Sequence, residues 1–281
     1  MSSRPGAASG RRDREGGLRR RTGPAVIDLH SHILPGLDDG ARTLEESVAI
    51  ARTAASEGIR AIAATPHVRD DFPTTAAAME RGVAAVRAAL AAESVSVQLL
   101  TGGEIAHDYV GRIAADELRR FGLGGTEEYL LVEFPYRDWP LGLPDTIFRL
   151  RTAGMTPVIA HPERNPDVQD APEKLRELVD LGALVQLTAA SIDGRGGSRA
   201  QRASFSLLRA GLAHLVSTDA HAPDVRAVGF AAARATLRDE DLGRWLMEDV
   251  PSAIVAGSPL PPRPELAPGR ARRWLRRRTR G

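Results

Sequence analysis

Histidine and carboxylate side chains recur at the carboxyl ends of the strands that the sequence predicts. Five of the seven histidines hold such positions, namely His30, His32, His67, His161 and His221. Four acidic residues hold equivalent positions, namely Asp38, Asp39, Glu104 and Asp219. Imidazole nitrogens and carboxylate oxygens are ligands of zinc, manganese, iron and nickel. The pattern therefore indicates a metal centre assembled from several segments of the chain.

His30 and His32 give the sharpest single signal. Alternate residues of a strand share one face, so both imidazoles point the same way as the carboxylate of Asp28. Burying three ionisable groups on one face is costly unless a cation compensates them. Asp219 and His221 repeat the same spacing. A lone histidine at a strand end is more often only a hydrogen-bonding residue, but a bound metal accounts for both pairs.

The number of candidate ligands exceeds what one ion can hold, which is roughly four to six. The candidates are His30, His32, Asp39, His67, Glu104, His161, Asp219 and His221. We therefore expect two or three ions that share bridging carboxylates and clamp an oxyanion. Arg164 and Arg226 follow two of these histidines closely and could grip a phosphate by their guanidinium groups.

Composition excludes several other mechanisms. The chain has no cysteine, which removes disulfides, zinc–thiolate sites and cysteine nucleophiles. Its single lysine, Lys174, follows no glycine-rich loop, so a Walker phosphate loop is absent. Neither a GxSxG elbow nor a complete dinucleotide fingerprint occurs. We interpret the two remaining histidines, His107 and His214, as structural.

Strand patterns alternate with helix patterns along the chain. The predicted strands cover residues 26–32, 59–67, 95–104, 128–135, 155–163, 183–191 and 212–221. The predicted helices cover residues 43–58, 74–93, 143–154, 171–182 and 199–211. This order implies parallel strands joined by right-handed crossovers. Seven strands favour a closed or nearly closed α/β barrel, whose active site lies at the carboxyl ends of its strands, with a doubly wound sheet as the second interpretation.

Charge divides the chain into an acidic body and two basic tails, although the overall charge is only +2. Residues 1–25 carry seven Arg against two acidic residues, and residues 263–281 carry eight Arg against one. Residues 26–262 carry 23 basic and 33 acidic residues. We predict a disordered tail at 1–24, one folded domain at 25–257, and a proline-rich linker with a basic tail at 258–281.

The expected location is the cytoplasm. No run of residues is long and apolar enough for a membrane span, and no apolar segment follows the first arginines as in a secretory signal. The basic tails are either solvated only or contact an anionic membrane face or an acidic polymer. The acidic body argues against specific nucleic-acid binding.

The chain resembles the polymerase and histidinol phosphatase (PHP) superfamily in the motifs IDLHSHILPGLDDGA, ATPH, GGEI, VEFP, VIAHPERN and STDAH. Within it, the chain is similar to the bacterial manganese-dependent protein tyrosine phosphatases of capsule and exopolysaccharide operons. The motifs agree in order and spacing over roughly residues 26–255. The resemblance implies a distorted TIM-like (β/α)7 barrel with three metal ions at the carboxyl-terminal mouth.

Carried over by position, the resemblance implies that the eight candidates above are the metal ligands. In the DDG sequence it favours Asp39, next to Gly40, as the ligand and leaves Asp38 in a supporting role. It further implies that Arg164 and Arg226 bind phosphate and that Mn²⁺ is the cofactor, with iron or zinc as alternatives. The implied partner is a phosphotyrosine protein, a bacterial tyrosine kinase that regulates polysaccharide export. The Arg-rich tails have no counterpart in these motifs.

The expected reaction is in-line attack of a metal-bridging hydroxide on the phosphorus of a phosphotyrosine side chain. Because the leaving phenol has a pKa of about 10, the reaction needs no strong general acid. Three alternatives stay open: a phosphatase for a small phosphomonoester such as histidinol phosphate, a nuclease-like phosphoesterase, and a non-catalytic module that keeps a metal site. The complete ligand set argues against the last.

Overall fold

The computed structural model describes residues 25–223 and 227–265. The predicted tail at 1–24, residues 266–281 of the predicted linker and tail at 258–281, and Arg226 lie outside the described residues. Strands alternate with helices as predicted. The strands are β1 (Val26–Ser31), β2 (Ile59–Ala64), β3 (His67–Arg69), β4 (Phe72–Pro73), β5 (Gln98–Leu100), β6 (Glu104–Ala106), β7 (Tyr129–Glu133), β8 (Thr156–Ala160), β9 (Leu184–Thr188) and β10 (Leu215–Ser217).

Helices connect these strands. They are α1 (Leu44–Ser56), α2 (Ala76–Ala92), α3 (Ala115–Arg120), α4 (Leu143–Thr152), α5 (Pro166–Asp170), α6 (Arg176–Asp180), α7 (Ala189–Asp193), α8 (Ser198–Ala210), α9 (Phe230–Leu237), α10 (Glu240–Arg244) and α11 (Val250–Ala256). Short 3₁₀ segments add single turns, and one π-helical turn, Trp245–Asp249, joins α10 to α11. Among the described residues, every helix is too short or too polar to cross a lipid bilayer.

The strands form a distorted barrel with seven strand positions, which confirms the predicted fold. One sheet has the order β1-β2-β5, and the other has the order β10-β9-β8-β7-β6-β3-β4. Every pairing is parallel except the short β3–β4 pair. A bridge between Ser31, at the end of β1, and Ala220, past β10, joins the two sheets. The carboxyl ends of the strands therefore meet at one mouth.

The distortion lies where two predicted strands divide. The predicted strand 59–67 becomes β2 and β3, and the predicted strand 95–104 becomes β5 and β6. The first halves, β2 and β5, pair with each other beside β1, whereas β3 and β6 pair with each other beside β7. The chain crosses between the sheets at Pro66 and at Gly102 and Gly103. A Cβ on Gly103 would lie 2.5 Å from the Phe121 ring, so only glycine fits this crossing.

Both faces of the central strands are buried, because helices cover the outer face and side chains fill the interior. In β1 the apolar Ile27 and Leu29 alternate with Asp28 and His30, and all four are buried. The outer helices bury one stripe each; in α8 that stripe includes Ala200, Ala203 and Leu207. The amphipathic helices thus hold the strands in place, and the carboxyl ends of the strands position the candidate ligands.

Residues 258–265, in the predicted linker, contact the barrel. The indole Nε1 of Trp245 donates to the carbonyl oxygen of Pro261 over 3.1 Å. The guanidinium of Arg263 donates to the carbonyl of Leu208 in the last turn of α8, where a cation is stabilised by the helix dipole. His214, which precedes β10, lies close enough that burial and Arg263 lower its pKa to about 4. This segment therefore lies at the end of the barrel opposite the mouth.

A tight turn after β1 sets the position of the DDG sequence. The amide of Ala41 donates to the carbonyl of His32 over 2.9 Å, and the amide of Gly40 donates to Asp38 Oδ1 over 2.9 Å. A Cβ on Gly40 would lie 2.1 Å from the His32 carbonyl oxygen and 2.4 Å from the His32 Cβ. The turn therefore presses its backbone directly against one of the candidate ligands.

We expect Gly40→Ala to lower the free energy of unfolding by about 1–3 kcal/mol, because the added methyl group overpacks the contact with His32. Urea denaturation followed by circular dichroism measures this change. The matched control is Gly142→Ala, since Gly142 has φ −82° and no atom within 4 Å of the added Cβ. Equal losses of stability in the two variants would contradict the tight contact.

Candidate metal centre

The structure brings the eight predicted ligands together at the mouth of the barrel. They come from the ends of β1, β2/β3, β5/β6, β8 and β10 and from the loop after β1. All are buried except Asp39, whose side chain is 43 % exposed. Six of the eight, together with Glu133, form three overlapping groups whose ligand atoms lie within 4.8 Å of one another: His32, Asp39, His67 and His221; His30, His32 and Glu104; and His67, Glu104 and Glu133.

The histidine pair of β1 faces two carboxylates. The Nε2 atoms of His30 and His32 lie 3.2 Å apart. Each lies 3.3 Å from Glu104 Oε2, and their distances to Asp219 Oδ1 are 3.3 and 3.2 Å. Atoms that coordinate the same ion at about 2.1 Å are separated by about 3.0–3.4 Å. These distances therefore suit a shared divalent ion.

A second group lies on the other side of His32. Asp39 Oδ1 is 3.2 Å from His221 Nε2 and 3.5 Å from His67 Nε2. The His67 Nδ1 atom lies 3.0 Å from Glu104 Oε2, which links this group to the first. Glu104 Oε2 accepts no hydrogen bond from any described residue, although it is completely buried. Its environment of three imidazole nitrogens fits a bridging metal ligand.

Glu133, at the end of β7, belongs to this cluster and was missed by the sequence analysis. Its Oε2 lies 3.8 Å from His67 Nδ1, and its Oε1 accepts from Arg69 over 2.8 Å. Burial and the nearby Glu104 raise the pKa of Glu133. The signal was available, because Glu133 ends a predicted strand as the other acidic candidates do. It lies inside the VEFP motif, which was used for the resemblance but not as a source of ligands.

The two aspartates of the DDG sequence have different surroundings. Asp38 Oδ2 contacts His32 Nδ1 over 2.7 Å and accepts from the amide of His67 over 3.0 Å. The other carboxylate oxygen of Asp38 accepts from the amide of Gly40. Asp38 therefore orients both the turn and the His32 ring. Asp39 instead directs its carboxylate toward His67 and His221. This arrangement agrees with Asp39 as the metal-facing residue and Asp38 as its support.

Two buried polar residues, Gln186 and Asp28, hydrogen-bond to the residues that carry the candidate ligands. His30 Nδ1 lies 3.0 Å from Gln186 Oε1, so donation to the amide oxygen leaves His30 Nε2 free to act as a ligand. Asp28 accepts from the amide and the hydroxyl of Thr218, which directly precedes Asp219. Burial raises the pKa of Asp28 to about 6. Asp28 therefore shares the face of the histidines, as predicted, but anchors the neighbouring loop.

His161 and Arg164 approach from the turn after β8. His161 adopts a left-handed conformation (φ 36°) and places Nε2 2.9 Å from Glu104 Oε1. Arg164 Nη1 lies 2.6 Å from Asp219 Oδ2 and donates to the Tyr136 hydroxyl over 3.3 Å. The left-handed conformation of His161 is strained for a non-glycine residue, and such strain is typical of functional sites. The second predicted arginine, Arg226, lies outside the described residues.

Electrostatics keep the central carboxylates ionised. Burial raises the pKa of Glu104, but His30 and His67 outweigh it and hold the pKa well below its usual value. Burial also raises the pKa of Asp219, but His30 and Arg164 hold it well below its usual value. The buried centre thus presents anionic oxygens and imidazoles without sulfur, a donor set that fits divalent ions such as Mn²⁺, Fe²⁺ or Zn²⁺.

Two curated relatives are similar to this chain over most of its length. The chain is 37 % identical over 199 residues to the tyrosine-protein phosphatase YwqE of Bacillus subtilis, covering 70 % of this chain and 77 % of YwqE. It is 30 % identical over 199 residues to the putative tyrosine-protein phosphatase CapC of Staphylococcus aureus, with the same coverage.

Solved structures give the same relationship. A chain from the structural study of YwqE from Bacillus subtilis and CpsB from Streptococcus pneumoniae, described there as metal-dependent tyrosine phosphatases, superposes with a TM-score of 0.75 at 30 % identity. The match covers 86 % of this chain and 100 % of that chain. A 5-methylcytosine deaminase from Klebsiella pneumoniae matches at 15 % identity, with a TM-score of 0.53 and coverage of 87 % and 79 %, and so shares the fold alone.

The family relationship follows from the sequence of the whole domain. The sequence model for capsular polysaccharide synthesis proteins of the CpsB/CapC type matches residues 26–252. This match confirms the resemblance that the motifs indicated. The chain therefore belongs to the CpsB/CapC family of capsular polysaccharide synthesis proteins.

Proposed function

We propose that the chain is a metal-dependent protein tyrosine phosphatase. The observation that carries this proposal is the cluster of imidazoles around the buried oxygens of Glu104, with Arg164 beside it. A phosphoryl group needs cations to neutralise its oxygens in the transition state. Among the described residues, the Arg164 guanidinium and the clustered ligand groups support sites for that positive charge at the mouth. The relatives named as tyrosine-protein phosphatases support the choice of substrate.

The ligands in this proposal are His30, His32, Asp39, His67, Glu104, His161, Asp219 and His221, with Glu133 added from its position beside His67. Nitrogen and carboxylate ligands without sulfur fit several divalent ions. We propose Mn²⁺ among them because the chain resembles manganese-dependent protein tyrosine phosphatases. When bound, such ions activate water at neutral pH and neutralise charge on phosphoryl oxygens.

The residues around the ions orient the substrate. Arg164 Nη1 lies 2.6 Å from Asp219 Oδ2, one of the proposed ligands, so the guanidinium is held beside the proposed metal centre. Burial lowers the pKa of Arg164, but Asp219 outweighs this and raises it, so the guanidinium stays charged at every relevant pH. We assign Arg164 to the equatorial oxygens of the phosphoryl group, because its charge lies next to the ligand cluster. We assign Arg226 to the same task from its sequence position.

We further propose that the phosphotyrosine protein is a bacterial tyrosine kinase of polysaccharide export and that the reaction occurs in the cytoplasm. The basic tails would contact an anionic membrane face near such a kinase. Each basic residue near an anionic surface contributes about 1 kcal/mol. Residues 266–281 carry seven arginines and begin beyond the segment bound by Trp245, at the end of the barrel opposite the mouth. A membrane held there would leave the mouth accessible.

Chelation tests the metal requirement. We expect EDTA to abolish hydrolysis of a phosphotyrosine peptide and Mn²⁺ to restore it, because the phosphoryl charge is then neutralised again. The double variant His161→Ala with Asp219→Ala should lose more than about 100-fold in kcat under saturating Mn²⁺. Histidinol phosphate and an oligonucleotide serve as comparison substrates. Full activity after chelation, or faster turnover of histidinol phosphate than of the peptide, would overturn the proposal.

The two aspartates of the DDG sequence should affect metal binding differently. Asp39→Asn removes an anionic ligand, so we expect fewer ions per chain after dialysis, measured by plasma mass spectrometry. Asp38→Asn leaves the ligand set complete but loosens the His32 ring, so we expect the same number of ions with about 10- to 100-fold weaker affinity. Loss of an ion in Asp38→Asn together with full occupancy in Asp39→Asn would reverse the assignment.

Deleting residues 266–281 tests the role of the tail. We expect the truncated protein to bind vesicles containing anionic phosphatidylglycerol at least about 10-fold more weakly, because the seven arginines are removed. Hydrolysis of a soluble phosphotyrosine peptide should be unchanged. Neutral phosphatidylcholine vesicles and 0.5 M salt provide the controls. Unchanged binding to the anionic vesicles would refute the membrane role.

A further inference from the structure

An exposed aromatic ring stands beside the phosphate-binding arginine. Tyr136 lies in the loop after β7 and is 45 % exposed, although it is next to a buried cluster. Its ring stacks on the imidazole of His161, with 5.5 Å between centroids and 18° between planes. Its hydroxyl accepts from Arg164 Nη1 over 3.3 Å. His161 covers one face of the ring and leaves other ring surface accessible at the mouth.

Hydrogen bonds from Asn165 fix the loop that carries Tyr136. The side-chain amide of Asn165 donates to the carbonyls of Pro135 and Asp138 over 2.8 and 3.1 Å, on either side of Tyr136 in the sequence. Its oxygen accepts from the amide of Asp167 over 2.8 Å and so caps α5. Asn165 is almost completely buried. The amide therefore joins the turn of Arg164 to the loop of Tyr136, and the ring keeps its position relative to the guanidinium.

Phe72 also stacks on a histidine and lies near an arginine, but its side chain is less exposed than that of Tyr136. Phe72 stacks on His67, with 5.8 Å between centroids and 14° between planes. The guanidinium of Arg69 lies 5.2 Å from the centroid of the Phe72 ring. The accessible aromatic surface next to Arg164 therefore belongs to Tyr136.

We propose that Tyr136 is a specificity-determining residue that selects aryl over alkyl phosphate esters by stacking on the ring of the substrate. Only one ester oxygen separates phosphorus from the ring of phosphotyrosine. A phosphate held by Arg164 thus brings that ring next to the group that Arg164 already contacts, the Tyr136 side chain. Aromatic stacking favours an aryl ester, whereas a seryl ester offers no ring. This inference rests on the proposed phosphatase function and adds the basis of its substrate choice.

The test compares two peptides of the same sequence that carry phosphotyrosine or phosphoserine, with full-length protein loaded with Mn²⁺. The quantity measured is the ratio of kcat/KM for the two peptides. We expect Tyr136→Leu to lower this ratio roughly 3- to 10-fold, mainly through a higher KM for phosphotyrosine. Tyr136→Phe keeps the ring and should keep the ratio within about 2-fold. Phe148→Leu, on α4, removes another exposed aromatic ring and should leave the ratio unchanged.

An unchanged ratio in Tyr136→Leu would overturn the inference. A loss in Tyr136→Phe as large as that in Tyr136→Leu would also overturn it, because the hydroxyl rather than the ring would then matter. If the wild-type protein hydrolysed neither peptide, the proposed function itself would fail. Calorimetry with phenylphosphonate and methylphosphonate then tests the ring separately. Tighter binding of phenylphosphonate that is lost in Tyr136→Leu supports the inference, and equal binding of both ligands by the wild-type protein overturns it.

Discussion

The structure depends on the buried carboxylate of Glu104. One of its oxygens lies within 3.3 Å of nitrogens from His30, His32 and His67, and the other lies 2.9 Å from His161. An ionised carboxylate in a dry interior is strongly unfavourable unless positive charge surrounds it. Three other segments, β1, the start of β3 and the turn after β8, converge on Glu104 to provide this surrounding, and the barrel of parallel strands brings their ends to one mouth. The charge of Glu104 and the geometry of the barrel therefore require each other.

Most of the candidate site could be predicted because the relevant positions follow from the alternation of strands and helices. His30 and His32 share a face by the two-residue period of a strand, and His161 and Asp219 follow strands whose ends meet. The two divided strands could not be predicted in the same way. Residues 59–67 and 95–104 each look continuous, and the crossings at Pro66 and at Gly102–Gly103 become visible only when the packing against Phe121 is known. Glu133 could have been predicted from its place near the end of the predicted strand 128–135. Tyr136 could not, since an aromatic residue in a loop carries no periodic signal.

The separation of charge in the sequence corresponds to a separation of roles. The acidic body contains the anionic ligands at the mouth, where Glu104 and Asp219 stay ionised beside imidazoles and Arg164. The excess of positive charge belongs to residues 1–25 and 263–281. Arg263 donates to the carbonyl of Leu208 at the last turn of α8. Catalysis and the proposed contact with anionic surfaces are thereby assigned to opposite ends of one domain.

Anomalous X-ray scattering at the manganese edge, measured on crystals grown with Mn²⁺, tests the central claim most directly. We expect two or three anomalous peaks at the barrel mouth, at least one of them about 2.0–2.2 Å from Glu104 Oε2. Asp38 should lie outside the coordination distance of every peak, since its oxygens are used by His32, His67 and Gly40. A single peak remote from Glu104, or no peak at full Mn²⁺ concentration, would contradict the account.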